Sequence, residues 1–287
     1  MRFDIHTNIG QFPGSKKGVP VYCSVDNMVE YLIRNDITHH ICLYPYNGYH
    51  LLEDLQLKLP DVQHYGLQCV MGVDEDNPTD IKNLQLDILD GNKTLCKGVK
   101  IASHRGWWLI KNKIQSGIDY GSQSRIIRKH ILDVLPDNCI ISWHLQGDPI
   151  CNSGSTPMHI ARLAGYYPHI KFILNHCGDY GQGKFSTKPK ELITEKYQMQ
   201  PTFRYAHSQV LIQSCITYAM HLPNCWIDSS IYIPNKNLLY NSNSWCIGSD
   251  YPFGEEFNTE YQKFKKQLGT QVDNQMYSTL NWTLNLP

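Results

Sequence analysis

Asp4 and His6 stand two residues apart in the stretch FDIHTNIG, where a short β-compatible run, Arg2–Thr7, gives way to Gly10. Side chains alternate along a strand, so Asp4 and His6 are expected on one side and Ile5 on the other. A histidine at a strand end becomes a candidate metal ligand or proton carrier only when other residues of those types can meet it. Lys100 lies in GVKIA, His144 ends ISWH, His176 ends ILNH and Asp250 ends IGSD. Like His6 and Asn8, each comes where an apolar run passes into polar or glycine-rich sequence. Three histidines and a carboxylate are nitrogen and oxygen donors that suit Zn²⁺ first, with Mn²⁺ and Fe²⁺ as alternatives.

Positioning residues from both ends and the middle of a chain around one point requires a particular scaffold. Eight apolar runs recur: Arg2–Thr7, Thr38–Tyr44, Gly66–Val73, Lys97–Ala102, Cys139–Leu145, Ile170–His176, Cys225–Ser230 and Trp245–Ser249. Helical patterns fall between and after them, at Val25–Asn35, Leu51–Leu59, Thr79–Leu89, Ser124–Leu135, Thr156–Gly165, Phe203–His221, Phe257–Leu268 and Asn274–Leu284. In the first, Met28, Val29, Leu32 and Ile33 make the apolar face. Pro60 stops the second, and Pro157 sits in the first turn of the fifth.

Strands alternating with helices predict a parallel sheet, and near-continuous apolar strands predict burial on both faces. Eight units fit an α/β fold, a single (β/α)8 TIM-type barrel spanning residues 1–287 as one domain. An open doubly wound sheet would want a glycine-rich phosphate loop after the first strand. Gly10, Gly14 and Gly18 do not form one. In a barrel the C-terminal strand ends converge on one mouth, which is where every candidate residue lies.

Composition narrows the partners. Lys+Arg and Asp+Glu are both 26, and no basic stripe stands out, which argues against nucleic acid. The 10 cysteines are scattered with no C-x-x-C pair, and Cys42, Cys69, Cys139 and Cys246 lie in apolar runs, so buried free thiols in a reducing compartment are expected. No apolar leader opens the chain and no run approaches membrane-spanning length, so the expectation is a cytoplasmic protein with no membrane partner. The aromatic content of the loops permits a homodimer.

The motifs together resemble the amidohydrolase superfamily, and within it the amidohydrolase-related group. DIHTNIG stands for that family's D-x-H-x-H-x-G, GVKI for its strand-four lysine, ISWH and LNHCG for its strand-five and strand-six histidines, and GSDYP for its G-S-D-x-P. The resemblance implies a metal-dependent hydrolase, or a decarboxylase, acting on a small-molecule substrate. It implies His6, His144 and Asp250 as metal ligands and His176 as a ligand or a polarising and proton-transfer group. Lys100 would be a carbamylated bridging ligand or a plain lysine.

One position departs from the pattern: the family's second strand-one histidine is Asn8 here. An amide oxygen is a weaker zinc ligand than imidazole. Three arrangements follow: a metal held by His6, His144, His176 and Asp250; a site shifted to Mn²⁺ or another cation; or a barrel that has lost metal and catalysis. His104, Arg105, Trp107 and Trp108 follow strand four and are expected to wall the pocket. Asp148 and Tyr180 follow the two histidine strands and are expected near the substrate. His39, His40, His130, His159, His169 and His221 fall away from the mouth and read as surface or structural.

Overall fold

The computed structural model describes residues 1–12, 21–70, 85–101, 130–144, 157–178, 217, 221–230, 244–254 and 256–284. In chain order its elements are β1 (Phe3–Asn8), β2 (Gly10–Phe12), β3 (Val21–Cys23), α1 (Val25–Arg34), β4 (His39–Tyr44), α2 (Tyr49–Lys58), β5 (Gln63–Val70), β6 (Cys96–Ile101), β7 (Ile140–Trp143), α3 (Pro157–Tyr166), β8 (Lys171–Leu174), β9 (Cys225–Asp228), β10 (Trp245–Cys246), α4 (Phe257–Leu268) and α5 (Gln271–Leu284).

Eight strands pair in the order β1-β4-β5-β6-β7-β8-β9-β10, every neighbour parallel. The last meets the first. Ile5 N donates to Ile247 O at 3.1 Å, Asn8 N to Tyr251 O at 2.8 Å and Asp250 N to His6 O at 2.7 Å. This is the predicted β/α barrel. Parallel pairing leaves no cheap edge, and closing the ring satisfies the backbone groups that an open sheet would expose.

Two apolar layers follow from strand alternation. Phe3, Ile5, Ile41, Leu43, Leu67, Ile140 and Ile173 fill the inside of the barrel. Cys42, Val99, Ile141 and Phe172 face outward, in one cluster with Met28, Leu32, Leu52 and Phe264 from the helices. α5 closes the N-terminal end of the barrel. Its Trp282 stacks on Trp226 with ring centroids 4.8 Å apart, and Lys171 Nζ donates to Thr283 O at 2.7 Å.

Several elements differ from the sequence expectation for identifiable reasons. β2 and β3 pair as an antiparallel hairpin outside the barrel, where a loop was expected. In α1, Ile33 is exposed and Tyr31 is buried instead, because the Tyr31 hydroxyl reaches Asp4. Ser24 starts α1 with a capping box to Asn27. The described part of the predicted Thr79–Leu89 helix contains only the 3-10 turn Asp87–Leu89. The described end of Ser124–Leu135 is helical at His130 and then tightens into a 3-10 turn, Leu132–Val134. Of Phe203–His221, only Thr217 and His221 are described.

The alternation expected in β1 also fails. Its register shifts between Asp4 and Thr7. Phe3 and Ile5 both face the barrel interior, while Asp4 turns outward to Tyr31 of α1. His6 nevertheless reaches the mouth, so Asp4 and His6 lie on opposite sides of the strand. A bulge adds one residue and re-aims the side chain beyond it.

Cys23, Cys42, Cys69, Cys96, Cys139, Cys225 and Cys246 are free and buried. Among the described residues no helix is long and apolar enough to cross a membrane. His40, expected to be structural, is buried in a chain of neutral rings: its Nε2 lies 2.6 Å from His64 Nδ1, and its Nδ1 lies 3.0 Å from Thr7 Oγ1.

Candidate metal centre and acid–base site

His6 is clasped between two carboxylates. Its Nδ1 is 2.5 Å from Asp228 Oδ2, and its Nε2 is 3.2 Å from Asp250 Oδ1. All three side chains are buried. With the Nδ1 proton turned to Asp228, the lone pair on Nε2 faces a carboxylate oxygen. Two acceptors do not rest against each other unless a proton or a cation stands between them.

Asp228 ends β9, and the sequence reading did not single it out. Its Oδ2 also accepts Asn175 Nδ2 at 2.8 Å and Ser230 Oγ at 2.6 Å, and its Oδ1 accepts Ser230 N at 2.7 Å. Burial alone would raise the Asp228 carboxyl. The His6 imidazole and the Ser230 hydroxyl outweigh it and hold the group well below the usual carboxylate range. Asn175 is in turn fixed by Ser142 Oγ, which donates to its Oδ1 at 2.8 Å.

His176 follows β8 in the 3-10 turn Asn175–Gly178. Its ring stacks against His6 at 5.2 Å and meets His144 edge-on at 4.8 Å. Its Nδ1 lies 2.9 Å from Ser230 Oγ and 3.2 Å from Ser230 O. Burial pushes His176 down to about 4, so the ring is neutral at pH 7. His176 and Asp250 both have left-handed backbone, with φ of 55° and 57°. For residues with a Cβ this costs on the order of 1–3 kcal/mol each, and such positions cluster where side chains must be aimed.

His6, His176 and Asp228 each offer a ligand atom, and these atoms all lie within 4.8 Å of one another. The donor set, two imidazoles and one carboxylate, is that of an open catalytic zinc-type site. For two of the three the protonation state matches too: His176 is a neutral ring and Asp228 an ionised carboxylate, as a cation requires. The residues present therefore fit a divalent cation.

The other predicted residues fall as follows. Asn8 does not turn its amide oxygen toward Asp250. Its Nδ2 donates to Asp250 Oδ1 at 3.1 Å and to Tyr251 O at 3.0 Å, and because a backbone carbonyl only accepts, the orientation is set. Lys100 is buried on the inner face of β6, and its Nζ donates to Ser142 Oγ at 3.4 Å. His144 lies at the end of β7 against His176. His104, Arg105, Trp107, Trp108, Asp148 and Tyr180 lie outside the described residues. Sequence reasoning passed over Asp228, Asn175, Ser142 and Ser230. Asp228 carried the signal used elsewhere, a ligand type ending an apolar run (CWID before Ser-Ser), and Ser142 and Asn175 sit within two residues of the histidines that were singled out.

Two supports hold the mouth from outside. Asp4 accepts His6 N at 3.1 Å, Ser249 N at 3.0 Å, and the hydroxyls of Ser249 and Tyr31 at 2.6 Å each. It thereby ties β1 to the segment after β10. Burial raises its carboxyl to about 6 against those donors. Gly248 lets that segment approach closely: a Cβ there would sit 2.5 Å from Asp228 Oδ1 and 2.7 Å from His6 Cβ. Gly248→Ala should cost about 1–3 kcal/mol, the usual penalty for overpacking, and displace both site residues. Thermal and urea unfolding check it, and a wild-type midpoint would contradict this account of the packing.

No protein-family model matches the chain, and no curated protein does. Among solved structures, an amidohydrolase II superposes with a TM-score of 0.54 at 16% identity, over 96% of this chain and 95% of its own. A probable 2-pyrone-4,6-dicarboxylic acid hydrolase from Acinetobacter baumannii gives 0.49 at 13% identity, over 96% and 95%. An Agrobacterium tumefaciens protein gives 0.42 at 9%, over 98% and 88%. The motif resemblance and the strand order thus meet in one finding: this chain has the β/α barrel fold of the amidohydrolase II structure.

Proposed function

We propose that this chain is a metal-dependent hydrolase of a C–N or C–O bond (amide, lactam, lactone or ester) in a small molecule. His6, His176 and Asp228 would hold the cation, and Asp250 is the general base. The observation that carries this reading is His6 held between Asp228 at 2.5 Å and Asp250 at 3.2 Å, with the neutral His176 ring packed beside it. A bound divalent cation supplies a polarised substrate carbonyl and a water whose pKa falls toward ~7. The chain's own residues do the rest. Asp228 and Ser230 fix the two rings through their Nδ1 atoms, as groups behind a metal-binding histidine commonly do. Asp250 takes a proton from the attacking water and returns it to the leaving atom. Asn8 holds that carboxylate in place through Nδ2, which gives the departure from the family motif a positive role.

Protein purified without chelator should carry close to one equivalent of a divalent transition metal. Stripping it should abolish turnover of a panel of small lactones, esters and amides and lower the melting temperature, and adding Zn²⁺ or Mn²⁺ should restore both. Less than ~0.1 equivalent bound, with no shift in melting temperature on adding either ion, would sink the proposal. Acid or amine release supports hydrolysis; CO₂ release from aromatic or unsaturated acids would instead assign the same site to decarboxylation.

A further inference from the structure

We propose that Lys100 is the anchor for an anionic group, a carboxylate, on the molecule that enters this mouth. The inference rests on the reading of the mouth as a small-molecule site and adds the charge of the substrate to it.

Lys100 pairs with Cys69 on β5 and Ser142 on β7, inside the ring of strands, and is 3% exposed. An ammonium carries three donors. This one makes a single hydrogen bond, the 3.4 Å contact to Ser142 Oγ, and no ion pair among the described residues. A charge buried with so few partners is expensive unless something completes its shell. The two carboxylates of the mouth attract it through space, but neither is its partner. Asp228 accepts from His6, Asn175 and Ser230, and Asp250 accepts from Asn8 and faces His6 Nε2 at 3.2 Å.

Burial lowers the Lys100 amine to about 8, with Asp228 and Asp250 pulling it back up, so the group is still charged at pH 7. A carboxylate brings two acceptor oxygens and one negative charge, which matches the two unused donors and the unpaired positive charge.

Acetate and acetamide have nearly the same shape and differ in charge. Their binding to metal-loaded wild type, Lys100→Met and Lys100→Arg can be compared by titration calorimetry, with metal content measured on each sample. Wild type should prefer acetate at least ~10-fold, a typical gain for one charge-assisted contact in a buried site. Lys100→Met should lose that preference while keeping wild-type metal content, and Lys100→Arg should keep part of it. An unchanged preference in Lys100→Met overturns the proposal, as does no preference in wild type. Loss of metal in Lys100→Met, or a carbamate resonance after ¹³C-bicarbonate labelling, also overturns it, because either would make Lys100 a metal-site residue. Preference for acetate in a wild type that binds no metal would leave the anchor standing and remove the hydrolase reading.

Discussion

Asp250→Asn should lower turnover by about 10²–10⁴-fold, the range spanned by removal of a general base, with the barrel intact. The amide is isosteric but carries no charge and takes no proton at neutral pH. The surrounding contacts survive in part: Asn8 Nδ2 can still donate to the remaining oxygen, and the backbone bond from Asp250 N to His6 O at 2.7 Å does not involve the side chain. The effect should therefore fall on kcat and leave the circular dichroism spectrum unchanged. Metal content should stay near that of wild type, because His6, His176 and Asp228 remain. Unchanged turnover in this variant would remove Asp250 from the chemistry.

Asp228→Asn should be the more damaging to the cation. The carboxylate accepts four bonds, three on Oδ2 and one on Oδ1. Whichever way an asparagine turns, its NH₂ faces a donor inside a buried cluster. Each buried polar group left unsatisfied costs about 1–3 kcal/mol. The variant should melt several degrees lower and bind metal at least ~10–100-fold more weakly, since losing even a group that only orients a metal-binding histidine costs that much and Asp228 is also placed among the ligands. His6 would also lose the partner that sets which ring nitrogen carries the proton. Chelator competition measures the affinity directly. If Asp228→Asn binds metal as tightly as wild type, the carboxylate next to His6 is packing and nothing more. The pair of variants is informative together: Asp250→Asn should spare the cation and stop the reaction, and Asp228→Asn should lose both.

Much of the scaffold was legible because its signals are local. Each strand is an apolar run of a few residues ended by a glycine, proline or polar cluster, and the run from Phe257 to Leu268 has the helical spacing that α4 shows. The alternation of the two element types is enough to name a parallel barrel, since a parallel strand pair needs a crossover and a helix is the common one. Once a barrel is assumed, the C-terminal strand ends share a mouth, so His6, His144, His176 and Asp250 could be read from separate stretches.

Local pattern could not reach three things. The shift in β1 that sends Asp4 outward depends on how β1 pairs with β4, a neighbour 30-odd positions away in the chain. The roles of Asp228 and Ser230 come from contacts more than 200 residues distant, to His6, and carry no periodic signature. The amide of Asn8 reads as a weakened ligand in one dimension and as a donor to Asp250 in three. The amino-acid order alone determined the elements, their sequence and the candidate chemistry at their ends, because propensity and apolar period act over a few residues. Only closure of the ring decided which carboxylate grips His6 and which faces its other nitrogen. That choice depends on ångström-scale distances between strands that the chain brings together last.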